Sequence, residues 1–233
     1  LVAALGASRN VYAAALGCEN PEDIQETWEH ALNNLIDPVI LSDSDAKSAP
    51  VKEEIHKGND LEEHGGLEEF PIPISTPGFD AAPFLSSPYW ITKDPETGIR
   101  NVGTYRGMLK SPTRLGIWAP AIQHIGVHWR KAKERGMDRL PAAIVLGAVP
   151  EVGIASVSKL PYGVDELAVA GGIAKKPLQL VRCETVDLEV PAMAEIVVEG
   201  YLSINEMEPE GPFGEYTGYM DGERSYRPFF TVT

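Results

Sequence analysis

Cysteine is scarce: 233 residues carry Cys18 and Cys183 and no Cys-x-x-Cys pair. Two thiols this far apart in sequence argue against a disulfide framework and a thiolate zinc site, and suit a reducing compartment. No apolar run approaches the roughly 20 residues that cross a bilayer, and the opening LVAALGASRN lacks the basic n-region of a signal peptide. A cytoplasmic location is expected. Positive charge is also short, with 20 Lys and Arg against 34 Asp and Glu for a net charge of −14. A phosphate backbone or an anionic bilayer would repel such a chain, which argues against general nucleic-acid binding. There is no initiator Met, and RSYRPFFTVT alternates like a strand that stops without a turn. Both ends are therefore expected to be cuts in a longer chain.

Several site patterns are missing too. His124 and His128 stand at i and i+4, but Ile125 occupies the place where a zincin helix needs its glutamate. Gly171-Gly172 neither completes GxGxxG nor leads to a phosphate-loop lysine. The basic stretch from Arg130 to Arg139 reads mainly as the solvated end of a helix. No internal repeat is visible.

What is present is enough for a core: 43% of residues are apolar. Asn20 is placed to cap a helix that starts at Pro21, with Ile24, Trp28, Leu32 and Leu35 on one face. Residues 37–85 are rich in Pro, Gly and charge and read as short strands, such as 38–41 and 70–74, joined by long loops. Tyr89 to Thr92, the turn DPETG and Ile99 to Leu109 read as a hairpin. A strand at 115–119, a helix from Pro120 ending at Gly136, a buried strand at 142–149, a helix at 164–174 and strands at 178–181 and 195–202 follow. Asp221-Gly222 is a hairpin signal. The sum is an α+β chain in which strands predominate after residue 86.

The stretch NEMEPEGPFGEY puts Glu206, Glu208, Glu210 and Glu215 around a turn too rich in Gly and Pro to be a helix. By itself it reads as a surface turn whose acids serve solubility, although Phe213 argues for some burial. Arg106, in a run of small and apolar residues, faces either solvent or a buried anion. A lone histidine at a helix start, here His124 after Gln123, is more often structural than a ligand. The helix dipole alone would account for Glu166 in a first turn.

In order along the chain, DPETGIRNVGTYR, AIQHIGVHW, PYGVDELAVAGGI and EMEPEGPFGEYTGY resemble the signatures of the UbiD-type decarboxylases, which use prenylated FMN. The resemblance runs from the region of Pro50 through Gly218. It implies a partial N-terminal α/β region over residues 1–85, then a flavin-reductase-like split β-barrel over residues 86–233, with the family's C-terminal oligomerisation domain lying outside this chain. It makes Asn101, His124 and Glu166 the ligands of a divalent metal that grips the flavin phosphate; two oxygens and one imidazole suit Mn²⁺ or Mg²⁺. It places Gly103, Thr104, Tyr105, Arg106, Gln123 and Ser156 beside those ligands around the cofactor, and offers the backbone carbonyls of Ala155 to Ser158 to K⁺. It makes Glu215 a proton donor, Arg106 the group that orients a substrate carboxylate and Glu210 the partner of Arg106, with Glu206 and Glu208 as solvated bystanders. Gly103-Thr104 stands where a bulkier pair is common and Gly107 follows Arg106 directly, so a wider pocket or looser flavin contacts are expected. The implied reaction is reversible, non-oxidative decarboxylation of an aromatic or α,β-unsaturated carboxylic acid. A flavin prenyltransferase would supply the cofactor, and the full-length protein would be a homo-oligomer. A flavin reductase on the same barrel and a non-catalytic assembly subunit are the alternatives.

Overall fold

In the computed structural model the described residues are 23–214 and 218–233. The first helix among the described residues, α1 (Ile24–Asn33), has Asp23 at its N-cap; the expected cap and start at Asn20 and Pro21 lie outside them. Ile24 and Trp28 pack on the core as expected. The third contact is the fully buried Ala31, whereas Leu32 and Leu35 are 39% and 45% exposed. Close backbone approach explains the shift, since a methyl group is all that fits where α1 meets a later helix. Residues 37–85 are more helical than their composition suggests. They hold β1 (Val39–Ile40), α2 (Asp43–Ala46), a 3-10 turn at Pro50–Lys52, α3 (Asn59–Glu63), a second 3-10 turn at Gly66–Glu69 and β2 (Phe84–Leu85), and residues 70–74 form no strand. Elements of one turn are too short to display a 3.6-residue period.

Beyond them lie β3 (Tyr89–Lys93), β4 (Arg100–Thr104), β5 (Gly107–Ser111), β6 (Arg114–Ile117), α4 (His124–Glu134), β7 (Arg139–Leu146), α5 (Pro150–Val157) and α6 (Glu166–Ala174). The chain closes with β8 (Gln179–Arg182), β9 (Glu189–Pro191), β10 (Ile196–Ser203), β11 (Glu208–Glu210), β12 (Phe213–Gly214), β13 (Met220–Asp221), β14 (Ser225–Arg227) and β15 (Phe229–Val232). The DPETG hairpin forms, with Ile91 opposite Val102, but its second strand stops at Thr104 and restarts as β5 in a different place.

That restart shapes the molecule. Eight antiparallel strands run in the order β2-β5-β6-β15-β10-β7-β3-β4. In a flat sheet β4 and β5 would stand six strand spacings apart, roughly 29 Å. Tyr105 and Arg106 alone join them, a reach of at most about 11 Å. The sheet therefore curls into a half-barrel that brings its edge strand β4 back toward β5.

Strand alternation divides the core between the two faces. Trp90, Ile144, Leu115, Ile117, Leu202 and Phe230 pack inside the curl. Ile91, Val102, Ala143 and Val145 face outward under α5 and α6. This is why β7 reads as an unbroken apolar run. Helix α6 is buried from Glu166 to Ile173, and a Cβ on Gly172 would stand 2.7 Å from the carbonyl oxygen of Ala31, which fixes how closely α1 lies on it. Helix α5 is buried at every position from Val152 to Ser156, so it shows no amphipathic period.

Asp221-Gly222 does not turn a hairpin. Glu208 pairs with Arg227 and Glu210 with Ser225, while Gly214 pairs with Met220, so residues 208–214 and 220–227 are the two sides of one antiparallel arm. The returning strand carries one residue more than its partner, and Gly222, at φ +59°, lies in that bulge.

Candidate active site

The edge of the half-barrel has an open row of backbone groups, and the site begins there. On β4 the Val102 N–H donates outward to Glu166 Oε2 at 2.8 Å. Glu166 is the first residue of α6, and Asp165, the N-cap, accepts from the Leu167 N–H at 2.9 Å. Asp165 also takes Arg100 Nη2 at 2.6 Å, and Arg100 reaches Glu189 at 2.9 Å. This frame of Arg100, Asp165 and Glu189 pins the start of α6 to β4. Neighbouring Asn101 extends to His124, the first residue of α4, whose Nδ1 lies 3.1 Å from Asn101 Oδ1 and 3.6 Å from Glu166 Oε1.

Three elements thus bring Asn101, His124 and Glu166 together. Asn101 and Glu166 are each 3% exposed. Burial pushes the Glu166 carboxyl up to about 7 against the pull of the Val102 N–H, and burial lowers His124. Asn101 Nδ2 is enclosed and makes no hydrogen bond of ordinary length, although the Tyr105 phenol feels its pull. An orphaned amide beside a carboxyl that resists ionisation is a combination that a bound cation would relieve. Adjacent ligands of an octahedral cation with bonds near 2.1 Å stand about 3.0 Å apart; the Asn101–His124 separation of 3.1 Å matches this, and the His124–Glu166 separation of 3.6 Å needs a small side-chain adjustment. Two oxygens and an imidazole, with no thiolate, fit Mn²⁺ or Mg²⁺.

Arg106, on the link between β4 and β5, makes a bidentate pair with Glu210: Nε donates to Oε1 at 2.8 Å and Nη2 to Oε2 at 3.0 Å. Their side chains are 8% and 1% exposed, and the guanidinium stands 4.8 Å from the Trp118 ring and 5.4 Å from Phe213. The turn-rich acidic stretch is therefore no solvated loop at Glu210. Glu208 is no bystander either, since it pairs with Arg114 and with Lys110 at 3.1 Å, fastening the arm over β5 and β6. Asp80 holds the arm from the other side, accepting from the Gly214 N–H at 2.8 Å and the Thr76 N–H at 2.7 Å. Glu215 lies outside the described residues.

The remaining candidates line the same strand. A Cβ on Gly103 would come within 2.3 Å of the Tyr105 hydroxyl, so the Tyr105 ring occupies the room left by the small residue. Burial raises that phenol to about 12, against a smaller opposing pull from Asn101 and the Ile125 backbone. Thr104 Oγ1 meets Ser156 Oγ at 3.0 Å. Gln123 is exposed and its side chain does not cap α4. His128 does not join the cluster as a ligand; its Nδ1 is engaged with Thr92 Oγ1 at 2.9 Å. Sequence reasoning missed Arg100, Asp165, Asp80 and Trp118. Arg100 and Asp165 flank the motif residues Asn101 and Glu166, a signal that could have found them, whereas Asp80 sits in a loop without periodicity.

Residues 43–233 match the family model described as UbiD, the 3-octaprenyl-4-hydroxybenzoate carboxy-lyase Rift-related domain. The chain belongs to the UbiD family. An evolved dimeric form of the UbiD-class enzyme HmfF from Pelotomaculum thermopropionicum, in complex with prFMN, matches with a TM-score of 0.88 and 38% identity, over 97% of this chain and 50% of that one. The apo 3,4-dihydroxybenzoic acid decarboxylase of Klebsiella pneumoniae matches at 0.84 and 29%, over 98% of this chain and 48% of that one. An uncharacterized protein of Archaeoglobus fulgidus is 42% identical over 167 residues, 72% of this chain and 34% of that protein. The chain therefore spans about half the length of these UbiD structures and a third of that relative. No helix among the described residues is long and apolar enough to cross a membrane.

Proposed function

We propose that this chain is the cofactor-binding portion of a reversible, non-oxidative decarboxylase that acts on an aromatic or α,β-unsaturated carboxylic acid with prenylated FMN. The observation that carries the reading is the convergence of Asn101, His124 and Glu166 on β4, with the buried Arg106–Glu210 pair on the link that continues the same strand. The bound prFMN of the HmfF relative supports the cofactor assignment. In this reading the half-barrel is the core of a flavin-reductase-like split barrel.

Asn101, His124 and Glu166 would hold Mn²⁺ or Mg²⁺, giving an acidic chain without a phosphate loop the positive charge that a flavin phosphate needs. Gly103, Thr104, Tyr105, Gln123 and Ser156 would flank the cofactor, and the uncapped N-terminus of α4 has N–H groups suited to its phosphate. Ala155 to Ser158 form the C-terminal end of α5, where the last carbonyls and the negative end of the dipole suit K⁺. When bound, the modified flavin supplies a sink for the electrons left by CO₂ loss. Arg106 orients the substrate carboxylate, Glu210 fixes the guanidinium through its two oxygens, and Glu215 delivers the proton that replaces the lost carboxyl. A flavin prenyltransferase as supplier and a homo-oligomeric full-length protein belong to the same reading.

The test is native mass spectrometry of the full-length protein co-produced with a flavin prenyltransferase and supplied with Mn²⁺ and K⁺. A species carrying prenylated FMN and one divalent ion is expected, followed by CO₂ release in a screen of unsaturated and aromatic acids. Glu215→Gln should keep the flavin and lose turnover. Plain FMN in the presence of the prenylated form, or no flavin at all, would overturn the assignment.

A further inference from the structure

We infer a metal site of the zinc class at His56, Asp60 and His64, distinct in its residues from the β4 cluster. The three residues stand at i, i+4 and i+8 around α3, and among the described residues they form a group whose ligand atoms all lie within 4.8 Å of one another. His56 Nδ1 is 3.6 Å from Asp60 Oδ2, and His64 Nε2 is 3.6 Å from Asp60 Oδ1. The carboxylate thus stands between two imidazoles and turns one oxygen to each. Adjacent ligands of a tetrahedral Zn²⁺ with bonds of 2.0–2.1 Å lie roughly 3.4 Å apart, so small side-chain adjustments bring these atoms onto one ion. Two imidazoles and a carboxylate select Zn²⁺, Co²⁺ or Ni²⁺ over the Mg²⁺ and Mn²⁺ suited to oxygen-rich sites.

Two further observations favour a cation. His56 Nδ1 is enclosed and makes no hydrogen bond, while its other nitrogen, Nε2, lies 3.2 Å from Glu54 Oε2. A carboxylate on the far ring nitrogen is the usual support for a metal-bound histidine, because it keeps that nitrogen protonated and leaves the lone pair on the ligating one. The His56 and His64 rings meet edge to face with centroids 4.0 Å apart, which keeps both imidazoles beside the same carboxylate. The surrounding field has the right sign as well. Residues 52–69 contain Glu53, Glu54, Asp60, Glu62, Glu63, Glu68 and Glu69 against Lys52 and Lys57, and both lysines are paired with Glu184.

The site has a structural task. The segment is tied down at its ends: Lys52 Nζ donates to the Arg182 carbonyl at 2.7 Å, and the Leu67 N–H donates to the Pro112 carbonyl at 2.7 Å. Between those anchors His56, Lys57 and Leu61 form part of the wall of a cavity of about 400 Å³ that Glu184 and Glu199 also line. An ion at His56, Asp60 and His64 would clamp α3 across a short loop and hold that wall in place.

The test uses the chelator-treated full chain, with Zn²⁺ measured by elemental analysis after dialysis and Co²⁺ titrated for the visible bands of a tetrahedral site. His124→Ala removes the β4 cluster from the count, and His64 and Asp60, each about half exposed, can be changed without disturbing the core. The His124→Ala protein is expected to bind one Zn²⁺ and to show the tetrahedral Co²⁺ spectrum. Adding His64→Gln or Asp60→Asn should weaken binding by more than the roughly 10–100-fold that loss of an outer partner costs. Zn²⁺ should also slow amide exchange across residues 53–65, and His64→Gln should abolish that protection. Equal binding with and without the His64 and Asp60 changes would overturn the site, as would exchange rates indifferent to Zn²⁺.

Discussion

Replacing Glu210 by alanine tests how the site is held. The carboxylate is 1% exposed and binds both Nε and Nη2 of a guanidinium that is itself 8% exposed and flanked by aromatic rings. At an effective dielectric of about 20 and a separation near 4 Å, the direct attraction is about 4 kcal/mol. Removing one member of a buried pair also leaves the other charge without its compensation, and such changes cost about 3–5 kcal/mol. For a chain of this size that corresponds to a fall in Tm of roughly 6–20 °C. Glu210→Gln keeps the shape and part of the hydrogen bonding, so it should cost less, about 1.5–3 kcal/mol. Urea unfolding followed by tryptophan emission reads both, with Trp118 4.8 Å from the guanidinium as a local reporter. Arg106→Met combined with Glu210→Leu should recover most of the loss, since no unmatched charge remains. A cost below about 1 kcal/mol for Glu210→Ala is the range of exposed ion pairs and would refute the reasoning.

His128 is 2% exposed, and burial lowers its imidazole to about 4, with Asp94 opposing that shift and His124 and Lys131 reinforcing it. Its folded value lies below the usual 6.5, so the unfolded chain binds more protons between those limits; stability is full above about pH 6.5 and falls by about 3 kcal/mol as pH drops to 4. An NMR titration of His128 near 6.5, or a flat stability profile over that window, would refute this. Gly172→Ala should destabilise by about 1–3 kcal/mol, because its Cβ would stand 2.7 Å from the Ala31 carbonyl oxygen. Helix propensity alone forecasts a gain of about 1 kcal/mol, so the sign of the Tm change decides between crowding and propensity.

Local signals were the legible part of the fold. The DPETG hairpin, the alternation of β10 and the end of α4 at Gly136, where φ is +68°, all follow from residues close in sequence. Closure of the sheet was not legible in the local pattern and entered only with the barrel that the resemblance implies, because nothing near Tyr105 or Arg106 says that β5 pairs with β6 and β2 rather than extending β4. The arm misled for a related reason: Asp221-Gly222 is a good turn signal locally, yet pairing with Glu208 to Gly214 decides the register. Helix α5 and the Ala31 face of α1 depend on what covers them, and pattern reading cannot see a covering element. At the site, the motif resemblance singled out Asn101, His124 and Glu166, each of which has an ordinary explanation alone. It said nothing of Asp80 or Arg100, whose work is to hold backbone and carboxylates in place.

The two-residue link between β4 and β5 gives the molecule a seam rather than a rim. Asn101 stands on one side of that seam and Arg106 on the crossing itself, so the curl of the sheet fixes where the two polar clusters stand relative to one another. A glycine inserted between Tyr105 and Arg106 would slacken the crossing, and a swing of β4 would then carry the Asn101 cluster away from the guanidinium even with every side chain intact.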